Sequence, residues 1–499
     1  MATTDFMVAI ELGSTQITGV AGRKDQDGGL TILAYAAEDA STCIRKGTVF
    51  NIDKTACAIT SIINKLEASL DATIAKAYVG ISGQSVRTVK NSVTRQFDGE
   101  TRITTDIINE LASISRTTQT DGYEILEVVP QEYKVDTGRL QVDPVGVNTT
   151  HIEGRFLHII SRQGLKHKIE ESFALAQTRI AGFFISPIAM ASVTATDAEL
   201  RTGCALIDFG AETTTVQVYK DHLLRHLAVI PLGMSSITKD ICTQGIEETD
   251  AEEFKVKYAS AYTEPAGVDA AIPATFTVGE GRASISEHIL NEITEARMEE
   301  IITNVWHQIT LSGYDDKLMS GIIVTGGGSH LANLQIAIQK KTGIDKFRHA
   351  TYIIPSVESV TPELLARNSR QCTLLGLLSS AREYCHEQEV PRDLFAITEP
   401  TEDEDAIRQA QAEELERQKA EAARLAKEAE EERAAEAARL AQEKAQQEAA
   451  IRKAEEERLE AERQARAEEE RRLRKEKSLF GRLQKLGQRL AREIIDGEE

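Results

Sequence analysis

Two short stretches of this chain follow one plan, and that repetition limits the fold more than any other feature of the sequence. The first, Ile10-Glu11-Leu12-Gly13-Ser14-Thr15-Gln16-Ile17, passes from an apolar run through an acid, a glycine and hydroxyls into a second strand-like run. The second, Leu206-Ile207-Asp208-Phe209-Gly210-Ala211-Glu212-Thr213-Thr214-Thr215, repeats it far downstream. Each reads as a β-hairpin tip whose glycine uncovers backbone N–H groups for phosphate oxygens, with hydroxyls as further donors. One such hairpin is an ordinary turn. Two predict similar half-molecules closing on one triphosphate, with Glu11 and Asp208 facing its Mg2+ through water.

A third element, Gly321-Ile322-Ile323-Val324-Thr325-Gly326-Gly327-Gly328-Ser329, is a buried-strand pattern running into three glycines and a helical stretch from His330. Glycines at a strand end remove the β-carbons that would block a flat ligand, and a following helix N-terminus favours an anion. Around these loops, strand patterns at Phe6–Ile10, Thr18–Gly22, Leu30–Ala36, Lys76–Ile81, Ala205–Phe209 and Thr214–Tyr219 alternate with helical patterns at Lys54–Ser69, Leu165–Ala181, Asp250–Tyr258, Ser286–Leu311 and His330–Lys341. The alternation predicts an α/β chain with helices covering sheets.

The charge balance narrows the partners. A net charge of −21 argues against nucleic acid. The six cysteines, Cys43, Cys57, Cys204, Cys242, Cys372 and Cys385, stand singly and fit a reducing compartment. No apolar run is long enough to span a bilayer and no secretory leader is apparent, so membrane contact is expected to be peripheral.

The three loops, in this order, resemble the phosphate-one, phosphate-two and adenosine loops of the actin, sugar kinase and DnaK-type ATPase superfamily. The stretches Ile185–Ala191 and Leu374–Leu378 match its connecting helices in position. The segment Val128-Val129-Pro130-Gln131-Glu132-Tyr133-Lys134-Val135-Asp136, followed by Asp143-Pro144-Val145-Gly146, resembles the signature of the FtsA family, and Gly80-Ile81-Ser82-Gly83 matches the strand end after which that family carries an inserted subdomain. The resemblance implies an actin-like fold of two ribonuclease H-like halves around a nucleotide cleft. It implies a first half at 1–83 with 161–196, an insertion at 84–160, a second half at 197–239 with 313–392, and its small subdomain at 240–312. Glu11, Gly13, Ser14, Thr15, Gln16, Asp208, Gly210, Thr213, Thr214, Gly326, Gly327 and Gly328 would then hold ATP and Mg2+, with Glu252 and Lys255 beside adenine and ribose. By the same resemblance the protein polymerises and docks the C-terminal peptide of the tubulin-like FtsZ. The helix face carrying Glu295, Arg297 and Glu300 is the candidate docking surface; an ordinary solvated face fits those residues equally well.

Departures from the superfamily pattern bear on turnover. Glu11 stands where Asp is usual, Gln16 where Lys is common, and Ala211-Glu212 where a glycine pair is usual. Nucleotide binding with slow or negligible hydrolysis is expected, and the sequence assigns no catalytic base.

From about Thr401 to Lys477 the chain turns to Ala, Glu, Arg, Lys and Gln, with no Gly or Pro. Pairs such as Glu413 with Arg417 and Glu448 with Arg452 sit one helical turn apart, each contributing ~0.2–0.5 kcal/mol. A solvated single helix and a partly helical linker both fit 393–477. At 478–499, Leu479, Phe480, Leu483, Leu486, Leu490 and Ile494 share a face, with Arg482, Lys485, Arg489 and Arg492 beside it. This is the pattern of a helix lying in an anionic membrane surface, and a helix packed on another protein is the alternative. The combined expectation is a peripheral protein of the cytoplasmic face of the inner membrane at the division septum. A PilM-like assembly scaffold and a sugar-kinase or chaperone-type ATPase are the competing readings.

Overall fold

The computed structural model describes residues 5–118, 121–136, 138–264, 274–359, 361–365 and 371–386, together with Gly481, Arg482, Gln484, Lys485 and Gln488. Two sheets repeat one topology. In the first, the order is Arg179–Ile185, Lys76–Ile81, Met7–Leu12, Gln16–Lys24, Leu30–Asp39, with Val357–Ser359 at the far edge. In the second it is Phe347–His349, Ile322–Thr325, Cys204–Phe209, Thr214–Lys220, Leu223–Ile230. Each half thus places its first strand centrally, with a hairpin meander on one side and parallel strands on the other. Central strands lose both faces to packing, which is why Met7-Val8-Ala9-Ile10 and Cys204-Ala205-Leu206-Ile207 are continuous apolar runs and wholly buried.

Helices cover the sheets where their apolar spacing matches. Ile52–Leu70 is started by Asn51, whose side chain accepts from Lys54 N–H, and stopped at Asp71 in the left-handed region. It lays Ile59, Ile62, Ile63 and Leu66 on the first sheet. In the second half, Glu287–Ser312 buries Met298, Ile301, Ile302, Val305 and Ile309. The two connecting helices are Ser186–Thr194 and Cys372–Ser380, packed against each other. Their contact centres on Gly376, where a β-carbon would stand 2.2 Å from the Ala189 carbonyl oxygen.

Between Lys76–Ile81 and the helix Leu165–Leu175 lies an inserted domain of three long antiparallel strands, Arg87–Arg102, Tyr123–Val135 and Asn148–Arg162, and the helix Thr105–Arg116. Its own core joins Ile103, Leu111, Val128, Tyr133, Val135, Ile152 and Phe156. Pro130 sits in the outer strand Tyr123–Val135 beside a register shift in its ladder with Asn148–Arg162, where a missing N–H is tolerated. The insertion interrupts the first half in sequence but extends the sheet of the second: Arg87 pairs with Ala228, and the buried Arg225 guanidinium meets the Glu132 carboxylate at 2.9 Å. Nothing in the residue pattern marked that join.

Three expectations need correction. The helix expected over Leu165–Ala181 ends at Leu175; Gln177 turns through a left-handed φ of 54°, and Arg179–Ile185 becomes a strand parallel to Lys76–Ile81. The helix expected from His330 is a 3-10 turn at Gly327–His330 followed, after left-handed Asn333, by Leu334–Thr342. The boundary that gave 313–392 to the second half also fails. Val357–Ser359 pairs with Leu30–Ile32, and Ala350, Tyr352, Ile354 and Cys372–Cys385 supply the core that includes Phe6, Val8 and Leu66. The C-terminal side of the globular part therefore returns to finish the first half.

Candidate functional site

Both hairpins turn in the same way. Gly13 N–H donates to Gln16 O at 3.1 Å, and Gly210 N–H donates to Thr213 O at 2.9 Å. A β-carbon on either glycine would stand 2.7 or 2.8 Å from the oxygen that closes its turn, so the tightness of the loop dictates the residue. The hairpins converge on a cleft of about 1230 Å³ lined from both halves by Glu11, Gly13, Ser14 and Thr15, by Asp208, Gly210 and Thr213, and by Gly326, Gly327 and Gly328. The third loop abuts the second hairpin directly. Thr325 pairs with Asp208 across the parallel ladder, and Gly326, at φ 83°, leaves space that a β-carbon would fill 2.3 Å from Asp208 Oδ1 and 2.6 Å from Phe209 O.

Two carboxylates of the cleft lining, Glu11 and Asp208, act on each other, and among the described residues no cationic side chain lowers either one. Burial, reinforced by the charge of Asp208, pushes the Glu11 carboxyl up to about 8, and burial pushes Asp208 up to about 6. Such a pair is short of positive charge, which a divalent cation supplies. Among the described residues no cluster of three or more His, Cys, Asp or Glu could encage a metal. A cation seated here would have only Glu11 and Asp208 as charged protein oxygens and would need other oxygens to complete its shell, the habit of Mg2+.

The raised Glu11 value has a consequence for stability. Because the folded state keeps this proton longer than the unfolded chain does, its contribution is fully present below about pH 4.5 and is lost as pH rises through about 8. Melting temperature without divalent cation should fall between pH 5 and 8. Glu11→Gln should flatten that decline and stabilise the protein at pH 8 by on the order of 2–4 kcal/mol, as read from melting curves across pH.

Glu252 and Lys255, on the helix Glu248–Tyr258, line the far end of the cleft. They bond each other: buried Lys255 Nζ donates to Glu252 Oε2 at 2.6 Å and to Thr238 Oγ1 at 2.9 Å, and the Thr238 hydroxyl donates to the same carboxylate at 2.6 Å. The lysine thus braces the acid. Two residues expected at the phosphates stand elsewhere. Gln16 is exposed and outside the cleft lining, and buried Thr214 donates its hydroxyl to Leu232 O at 2.8 Å, tying down the neighbouring loop.

Glu295, Arg297 and Glu300 lie outside this cleft on the helix Glu287–Ser312 and do not form one free face. Arg297 donates to both oxygens of Asp240, at 2.8 and 3.1 Å, and also pairs with Glu300; Glu300 is exposed and Glu295 half-buried. Of the tail residues, Arg482 and Lys485 are helical and exposed. Leu479, Phe480, Leu483, Leu486, Arg489, Leu490, Arg492 and Ile494 lie outside the described residues, as does 393–477. No described helix is long and apolar enough to cross a membrane. Sequence reasoning missed Gly47 and Ser82 in the lining. The available signal was Lys46-Gly47, the two-residue turn between the paired strands Ile44–Arg45 and Thr48–Val49, a pairing suited to a left-handed turn.

Comparison with known proteins agrees with this geometry. Residues 205–375 match the family described as cell division protein FtsA, and residues 83–161 match the SHS2 domain inserted in FtsA. Cell division protein FtsA of Porphyromonas gingivalis is 32% identical over 342 residues, 67% of this chain and 70% of that protein. Its counterpart in Neisseria meningitidis serogroup B is 26% identical over 385 residues, 75% of this chain and 90% of that one. The solved PilM-PilN type IV pilus biogenesis complex aligns with a TM-score of 0.51 at 14% identity, covering 76% of this chain and 98% of that one, a likeness of fold alone. The architecture is a mixed α/β actin-like fold with an inserted SHS2 domain. By the match of both family segments and the identity to the Porphyromonas protein, the chain belongs to the FtsA family of cell division proteins.

Proposed function

We propose that this division protein binds ATP with Mg2+ in the cleft, polymerises in the manner of actin, and fastens FtsZ filaments of the division ring to the cytoplasmic face of the inner membrane. The observation that carries the nucleotide reading is the convergence of the hairpins at Gly13 and Gly210 with the glycines at 326–328 on one cleft that holds two cation-hungry carboxylates. Amides of the two hairpins and the hydroxyls of Ser14, Thr15 and Thr213 meet the phosphates, Glu11 and Asp208 hold the cation through water, Gly326–Gly328 admit the adenosine, and Glu252 with Lys255 border its ribose. Mg2+ bound there would neutralise phosphate charge. With Glu11 where the superfamily usually has Asp and Ala211-Glu212 where it usually has a glycine pair, turnover is slow and ATP serves as a switch more than as fuel.

Peripheral attachment rests on the amphipathic pattern of 478–499, and polymerisation multiplies the hold of each such helix. The test uses the full chain and a variant ending at Lys477. On anionic vesicles the shortened chain should lose at least roughly tenfold in flotation, while still retaining an immobilised FtsZ C-terminal peptide. Equal flotation of both chains rules out the tail as the anchor. Failure of the intact protein to retain the peptide rules out the FtsZ link.

A further inference from the structure

The rim of the cleft carries a contact that nucleotide binding alone does not explain. Lys46 and Gly47 are consecutive left-handed residues, with φ of 50° and 69°. Successive amides in such a turn form a small anion-binding concavity. Here both amides are taken by the protein itself: Lys46 N–H donates to Glu212 Oε2 at 2.6 Å, and Gly47 N–H donates to Ser14 Oγ at 2.9 Å. Ser14 belongs to the first hairpin and Glu212 to the second, so one turn is bonded to both halves across the cleft mouth. The same turn reaches the root of the inserted domain. Lys46 O accepts from Gln84 N–H at 3.0 Å, and Gly83 lies so near that a β-carbon on Gly47 would stand 2.9 Å from its α-carbon. The Lys239 ammonium lies 3.9 Å from Glu212 Oε1 but is well exposed, so it offsets little of the charge.

We propose that Glu212 is a tethered anion that clasps the two halves by holding the Lys46 amide, and that the terminal phosphate of a bound nucleoside triphosphate competes with it for that donor. The proposal rests on the cleft being the nucleotide site. Gly47, Ser14 and Thr213 all line that cleft, so a phosphate chain lying along the hairpins ends beside this turn. A carboxylate and a phosphate cannot both take one N–H, and at contact their charges repel. A triphosphate therefore unseats Glu212, whereas a diphosphate, one group shorter, leaves it seated. Release of the clasp changes the hold on Gln84, which passes the nucleotide state to the SHS2 domain. The glutamate that crowds this loop thereby acts as a positioning residue that reads phosphate number.

Two variants of the full-length protein separate this from simple charge repulsion. Glu212→Asp keeps the charge but withdraws it by one methylene from Lys46; Glu212→Gln keeps the reach but removes the charge. Without nucleotide, hydrogen exchange in the segment 43–50 should be roughly tenfold faster in Glu212→Asp than in the wild type, the size of a lost charge-assisted bond. In calorimetric titrations, Glu212→Asp should bind Mg2+ with a non-hydrolysable ATP analogue roughly tenfold more tightly than the wild type, and Mg2+ with ADP about equally. Unchanged exchange, or an equal gain for both nucleotides in either variant, overturns the clasp. If neither nucleotide binds the wild type or the variants, the nucleotide reading fails and the competition with it, while the exchange rates still report whether Glu212 holds Lys46.

Discussion

Replacing Asp208 by alanine should cost at least roughly a hundredfold in affinity for Mg2+ with ATP while making the nucleotide-free protein more resistant to denaturant at pH 8. The opposite signs come from one cause. Asp208 is the one half-buried residue of the otherwise buried strand Cys204–Phe209, is pushed up to about 6, and its charge helps lift Glu11 to about 8. At pH 8 the nucleotide-free site holds one carboxylate fully charged and the other half charged. Removing Asp208 ends that repulsion and lowers the Glu11 value, a gain of on the order of 1–2 kcal/mol to the folded state. It also removes half of the protein's charge toward the cation, and the lost charge-assisted contacts are each of order 1.5–3 kcal/mol. Calorimetric titration and urea melts on the same preparation read both effects. Loss of affinity without a gain in stability would mean that water already screens the pair, and unchanged affinity would remove Asp208 from the site.

Gly376→Val should destabilise the globular part by about 3–5 kcal/mol, near the upper end for a single substitution. A β-carbon there would stand 2.2 Å from Ala189 O, 2.5 Å from its carbonyl carbon and 2.9 Å from Met190 N, all backbone atoms of the facing helix. No rotamer change relieves contact with backbone, so the helices Ser186–Thr194 and Cys372–Ser380 must move apart, in a core where Leu374, Leu375, Leu377 and Leu378 are fully buried. Gly376→Ala carries the same β-carbon without the branch, and should fall between wild type and valine in a urea series. Three indistinguishable midpoints would show that the helices separate freely.

What the sequence disclosed depended on whether a feature had a side-chain signature. The strand Lys76–Ile81 was legible to the residue, as an apolar run ended by Ser82-Gly83. The three glycine-bearing loops could be found because only glycine satisfies their geometry, at Gly13 and Gly210 by crowding and at Gly326 by backbone angle. The helix expected through Ala181 was overextended because Ala174 and Ala176 continue helical spacing, whereas a left-handed Gln177 leaves no mark in an apolar pattern. Val357–Ser359 was invisible for a simpler reason: three residues are too few to show a period of two. Thr214 and Thr213 are the same residue type one position apart, and strand alternation alone decides that Thr213 reaches the cleft while Thr214 turns into the core. The Lys46 contact is made by a backbone amide, to which composition is blind.

The SHS2 domain leaves the first half as covalent chain yet is stitched to the second by the Arg87–Ala228 pairing and the Arg225–Glu132 bridge. It is in effect a lever pinned at both ends. If the cleft widens, such a lever does not stay at rest: either its pins slip, at the expense of the Arg225–Glu132 pair, or it swings. A small change of angle between the halves would then be delivered as a larger excursion at the outer edge near Leu140–Gln141, without any signal having to travel through the interior of either half.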